Sequence, residues 1–130
     1  MTTHELKTHK KSVFINITRD VKEAVRKSGV NDGTVTVYCP HTTAGITINE
    51  NADPDVCLDM TAGLNEMVPA MDFRHAEGNS AAHIKASMMG AFAVVPVNGG
   101  ELAMGIWQAI YFCEFDGPRS RRFFVTVNGR

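Results

Sequence analysis

The runs Phe92-Ala93-Val94-Val95-Pro96-Val97, Ile106-Trp107-Gln108-Ala109-Ile110-Tyr111-Phe112-Cys113-Glu114-Phe115 and Arg122-Phe123-Phe124-Val125-Thr126-Val127 decide the fold. β-Branched and aromatic residues fill each run, and turn residues separate them, which is the pattern of strands. Asn98-Gly99-Gly100 joins the first run to Glu101–Met104 as a hairpin. Asp116-Gly117-Pro118 is a turn, after which Arg122–Val127 returns as the last strand. What precedes must therefore pack on antiparallel sheet.

Working towards the N-terminus, Asn79 or Ser80 caps a helix that runs to about Met89 and ends at Gly90. Met71–Gly78 reads as an ordered loop. Asp53-Pro54 starts a second helix, with Asp as N-cap and Pro at the first helical position. Val56, Cys57, Met60, Leu64 and Met67 give it an apolar stripe, and it stops near Pro69. Strands Thr34–Cys39 and Ala44–Asn49 flank Pro40-His41-Thr42-Thr43. Near the start, Ser12–Thr18 is a strand, and the more polar Glu5–His9 is placed to pair with it. A short helix opens at Asp20, buries Val21, Ala24 and Val25, and stops at Gly29. About seven strands with two or three helices between hairpin-linked pairs define an α+β fold, a mostly antiparallel β-sandwich forming one domain over residues 1–130.

Composition limits function. Apolar residues are 44% and charged residues 21%, as in ordinary globular domains. Thirteen basic against fourteen acidic residues give a net charge of −1, which argues against a partner bound through a nucleic-acid backbone. No apolar run of about 18 residues offers a membrane span, and the polar start has no signal-like segment, so a cytoplasmic protein is expected. Cys39, Cys57 and Cys113 lie far apart without CxxC spacing and read as buried thiols.

Four places carry chemistry. His41, beside Thr42 and Thr43, sits at a strand end, where a rigid support can present a functional group; a turn histidine satisfied by the backbone is the alternative. In Asn49-Glu50-Asn51-Ala52-Asp53, the cap explains Asp53, whereas Glu50 is either an inward base or metal ligand or a solvated acid. Asn79 and His83 share a helix face, and His75 approaches from the preceding loop. With His41 these histidines would make a site for zinc or a similar ion; two surface histidines are the alternative. Arg119, Arg121 and Arg122 crowd one turn, where forked hydrogen bonds could hold a phosphate or carboxylate, or merely blunt a sheet edge. Trp107 and Gln108 lie just before; a lone tryptophan is most often core, with an N–H needing a partner.

These segments together resemble the YjbQ-like family, small bacterial and archaeal proteins described as secondary thiamine-phosphate synthases. The matching residues are His41-Thr42-Thr43-Ala44-Gly45, Asn49-Glu50-Asn51-Ala52-Asp53-Pro54-Asp55-Val56, His75-Ala76-Glu77-Gly78-Asn79, Ala82-His83-Ile84-Lys85-Ala86, Gly105-Ile106-Trp107-Gln108-Ala109-Ile110 and Glu114-Phe115-Asp116-Gly117-Pro118-Arg119. The match runs over nearly the whole chain. Two positions depart from the family pattern: Ile106 stands where a threonine is usual, and Phe92 where a serine is usual. Either a ligand contact is lost at each, or only core packing changes.

The resemblance implies a homotrimer whose sheets pack around a threefold axis. It also implies a shared site in which His41, His75 and His83 bind a divalent metal ion, zinc or magnesium. The activity implied joins a pyrimidine diphosphate to a thiazole phosphate with loss of pyrophosphate. In that reading Glu50 and His83 are catalytic, and Thr42, Thr43, Asn79, Trp107, Gln108, Arg119 and Arg121 bind the small phosphorylated metabolite. The alternatives are a non-catalytic trimeric module that binds a metal or a phosphorylated metabolite, and a zinc-dependent hydrolase.

Overall fold

The computed structural model describes all of residues 1–130. In chain order the elements are β1 (Thr2–Lys7), β2 (Val13–Asn16), α1 (Thr18–Ser28), β3 (Asp32–Tyr38), β4 (Ala44–Glu50), α2 (Pro54–Met67), α3 (Ser80–Met89), β5 (Phe92–Asn98), β6 (Glu101–Leu102), β7 (Gln108–Glu114) and β8 (Ser120–Gly129). Strands β1-β8-β3-β5-β6 form one sheet and β2-β7-β4 another, and every pairing is antiparallel. The α+β reading therefore stands, with eight strands and three helices. No helix is long and apolar enough to cross a membrane.

The alternation of β7 organises the layers. Its Ile110 and Phe112 face the larger sheet and join Val35, Val37, Val95, Phe123 and Val125 in the main core, which α1 closes with Val21 and Val25. Its Ala109, Tyr111 and Cys113 face the other way, onto Leu64 of α2 and Ala82 and Ala86 of α3. A strand covered on both faces reads as a near-continuous apolar run, as this one does. Phe112 is fully buried and lies 6.3 Å from Phe123, ring centre to ring centre. Phe112→Ala should cost about 3–5 kcal/mol, measured by urea unfolding; a loss under about 1 kcal/mol would show that the two sheets do not depend on this contact.

The strands do not come in hairpin-linked pairs: only β5 and β6 pair as chain neighbours, while β1 and β2, β3 and β4, and β7 and β8 part into different sheets. Three expected elements also differ. The first strand is Thr2–Lys7, not Glu5–His9, and it pairs with β8 rather than with its sequence neighbour. His4 and Leu6 alternate inward, and the His4 ring stacks on Phe123 at 5.0 Å. The strand expected to span Glu101–Met104 is only Glu101–Leu102, on a hairpin whose Gly99 and Gly100 both have positive φ. The strand expected from Ile106 starts at Gln108. Gly105 donates its N–H to Gln108 Oε1 at 2.8 Å, so Ile106 and Trp107 occupy a turn, 87% and 60% exposed. Trp107 is thus not core. Phe92 is also exposed, on the outer face of the larger sheet, so packing explains neither departure from the family pattern.

Candidate functional site

The register of β4 on β7 fixes what can meet what. Ala44 pairs with Glu114 at one end and Glu50 with Gln108 at the other. Seven residues of β7 at about 3.4 Å each put these ends roughly 20 Å apart. Glu50, Trp107 and Gln108 therefore lie at one pole. His41, Thr42, Thr43, Asn79, Arg119 and Arg121 gather towards the other, where the turns after β3 and β7 and the start of α3 converge.

At that second pole the histidines divide. His75 and His83 meet edge to face, ring centres 5.7 Å apart, and Glu77 Oε2 lies 3.8 Å from His75 Nε2. His41 is not with them. Its Nε2 accepts the backbone N–H of Arg122 at 3.0 Å, and its ring lies edge-on to Phe112. Burial, and then the Arg121 charge, push its pKa below the ordinary histidine value. This is the backbone-satisfied turn histidine that the sequence left open. It borders a cleft of about 720 Å³ shared with Lys7, Ser120 and Arg122. No three His, Cys, Asp or Glu side chains of one chain converge as a metal-binding group. The three-histidine set implied by the resemblance is thus not assembled within a single chain.

Both arginines expected to clamp a ligand already have carboxylates. Arg121 is buried and donates Nε–H to Glu114 Oε1 at 2.9 Å and Nη2–H to Glu114 Oε2 and to Thr43 Oγ1. Glu114, fully buried, also accepts the Thr8 hydroxyl at 2.6 Å and the N–H groups of Phe115 and Asp116 at 3.1 Å. Burial alone would raise the Glu114 pKa; the bonds from Arg121 and Thr8 outweigh it and the net shift is down. Thr43 is thereby a buried structural partner, and Thr42 is exposed. Arg119 bonds Asp116 twice, Nε–H to the carbonyl at 2.9 Å and Nη2–H to Oδ2 at 2.8 Å.

Asn79 links α3 to this network. It stands at the N-cap position, yet its side chain does not cap. Its Nδ2 donates to Asp116 Oδ2 at 3.0 Å, and its Oδ1 is buried without a partner. An orphaned buried acceptor is uncommon and marks a place where a donor or a cation would be stabilised. Asp53, by contrast, does cap α2, accepting the Asp55 N–H at 2.9 Å, as its spacing predicts. Glu50 is half-buried; its carbonyl accepts the Tyr111 hydroxyl at 2.8 Å.

One residue escaped the sequence reading. Lys85 is 7% exposed, and its ammonium bonds Asn65 Oδ1 at 2.5 Å with no carboxylate within ion-pair distance. Burial, and then Lys11, push its pKa down. The signal was present: Ala82, Lys85, Ala86 and Met89 follow helical spacing, so Lys85 falls on the inward face of α3.

The fold and its crowded pole define a small two-sheet α+β protein with polar groups from four separate segments gathered at one end. The chain belongs to the YjbQ-like family: the family model described as UPF0047 protein YjbQ-like matches residues 2–130. It is 51% identical to UPF0047 protein YugU of Bacillus subtilis, with 98% of each chain covered. It is 46% identical to a UPF0047 protein of Methanocaldococcus jannaschii, covering 97% of this chain and 92% of that one. Among solved structures, a YjbQ/UPF0047-family protein of Clostridium acetobutylicum superposes with a TM-score of 0.97 at 53% identity, over 98% of this chain and 100% of the other. A YbjQ-like protein of unknown function from Sulfolobus solfataricus gives 0.96 at 32% identity, over 99% and 96%.

Proposed function

We propose that the chain is a small enzyme acting on phosphorylated metabolites, with its reactive centre at the start of α3. The observation that carries this reading is the juxtaposition of the His75–His83 pair with the Asn79–Asp116–Arg119 chain, whose buried Asn79 Oδ1 still lacks a donor. An imidazole beside a ligand's leaving oxygen can deliver a proton near neutral pH, and its neighbour can hold the ligand. His83 takes the first role here and His75 the second. The Asp116 carboxylate keeps Arg119 extended over the turn, where its remaining N–H groups are free for an anion. The reaction class is the one the family resemblance implies, transfer between two phosphorylated partners with release of pyrophosphate.

The working form is a homotrimer. Supporting this, Tyr38, Phe92 and Val94 are exposed together on the outer face of the larger sheet, where the Tyr38 ring stacks on Phe124 at 6.4 Å. Glu50, Trp107 and Gln108, too distant within one chain, would then be supplied to the site by a neighbouring subunit. A divalent ion, zinc or magnesium, fits only such an assembly: one chain offers two imidazoles, so further donors must come from the adjoining copy, and two nitrogen ligands favour zinc.

The test is elemental mass spectrometry on the purified protein and on His83→Ala, together with turnover and ligand binding. A stoichiometric ion lost in the variant is the expected result for the metal. Turnover falling about 10²–10⁴-fold with binding largely kept is the result expected for catalysis. Equal losses of turnover and binding, or no turnover in any form, would leave a binding module. One observation favours that second reading: neither His75 nor His83 has a carboxylate within hydrogen-bond reach to orient it as a base, Glu77 being 3.8 Å away.

A further inference from the structure

Arg121 is committed to Glu114 and Thr43, and Arg119 has only part of its fork free, which leaves the question of where a phosphoryl group would be anchored. Between the segment Lys10–Ser12 that precedes β2, the end of α2 and the start of α3 lies a cleft of about 600 Å³. Lys10, Lys11 and Lys85 line it, and the only acid on its wall is Asp116, already bound by Arg119 and Asn79. None of the three lysines has a carboxylate within 4 Å. In a chain with a net charge of −1, three uncompensated cations around one cleft are a local excess. The most demanding of them is Lys85. Burying an ammonium without an anion is costly, because the charge loses its water and gains no opposite charge in return. Asn65 supplies a single neutral acceptor. Packing alone would be served as well by Met or Leu at this inward position. Met71, Phe73 and Phe115 add apolar lining.

We infer that this cleft is a phosphoryl-binding site, in which Lys85, assisted by Lys10 and Lys11, holds the phosphate of an ester whose apolar body lies against Phe73 and Met71. The ligand class is a small phosphomonoester or diphosphate ester. A dianion would give the buried ammonium its missing counter-charge and would relieve the repulsion between Lys85 and Lys11. The assignment rests on the proposed action on phosphorylated metabolites; its anchoring lysines are no part of that reading, although Asn79 and Asp116 line this cleft as well. His75 and His83 do not line this cleft. Asn79 and Asp116 in its lining join it to their pole.

The experiment is calorimetric titration of the intact protein with inorganic phosphate, pyrophosphate and phenyl phosphate. The variants are Lys85→Met, Lys11→Ala and, as a conservative rescue, Lys85→Arg. Pyrophosphate and phenyl phosphate should bind, phenyl phosphate more tightly than inorganic phosphate. Lys85→Met should weaken both by about tenfold or more, and Lys85→Arg should recover part of the loss. Lys11, an exposed residue whose change should not disturb folding, should give a smaller loss of a few fold. Metal uptake at the histidines should be the same in all three variants. Unchanged pyrophosphate affinity in both Lys85→Met and Lys11→Ala overturns the site while leaving the histidine reading intact. Normal lysine-dependent binding with full turnover in His83→Ala does the reverse. Inorganic phosphate binding as tightly as phenyl phosphate overturns the ester body. A single-stranded oligonucleotide binding more tightly than pyrophosphate overturns the small-molecule class.

Discussion

Arg121→Met is expected to lower folding stability by about 3–5 kcal/mol, because it leaves the fully buried Glu114 without its counter-charge. The carboxylate would keep the Thr8 hydroxyl and two backbone N–H groups, which is too little to hold a charge away from water. The double variant Glu114→Leu/Arg121→Met should recover much of the loss, since a volume-matched apolar pair removes the orphan. The wild type carries the same dependence on pH. The folded pKa of Glu114 lies below the ordinary carboxylate value, so its contribution is complete above that value and vanishes as pH falls through the lowered one. Denaturant midpoints of the three proteins at neutral and acid pH test this. A single variant within about 1 kcal/mol of wild type would mean that the pair does not hold the pole together.

The second large effect concerns assembly. Under the proposed trimer, Val94→Asp should convert a particle of three chains into one of 14.2 kDa, read by sedimentation equilibrium. Val94 is half-exposed and beside the aromatic row Phe124–Tyr38–Phe92, which crosses three neighbouring strands. A charge inserted beside these apolar side chains would oppose association through that face without touching the core. A wild type of one-chain mass would refute the assembly outright. If the variant keeps the three-chain mass, a different face joins the subunits. Under that proposed assembly, a monomeric variant should also lose the contribution of Trp107 and Glu50 to turnover, since those residues would reach the site only from a neighbour.

Local patterns carried most of the fold. Strand alternation in Phe92–Val97 and the capped start of α2 were legible because each is decided within a few residues. The first strand was misplaced because its partner, β8, lies more than a hundred residues away, and its inward residues, His4 and Leu6, make a mixed pattern. Trp107 was misplaced because an apolar residue next to a strand looks like strand; the Gly105–Gln108 side-chain bond that excludes it is invisible in composition. At the candidate site, Asn79 and His83 were legible as neighbours through helical spacing, and His75 through its place in the loop just before the helix. His41 could not be separated from them, since its hydrogen bond to Arg122 joins positions 81 residues apart. Arg121 misled for the same reason: its motif is the one a phosphate clamp would use, and only the folded chain shows Glu114 already in its fork. Lys85 stood on the buried stripe of its helix all along.

The central strand β7 has one more consequence. Its residues serve by turns as a wall of two separate apolar interiors, odd positions for one and even for the other. Neither interior can melt and leave the other standing, because the strand that must pull away from the first is the floor of the second. The molecule therefore has no internal seam along which half of it could open. The helical layer bearing the histidines and the sheet bearing the exposed aromatic row should lose structure in a single step, with the β7 amides the last to exchange with solvent.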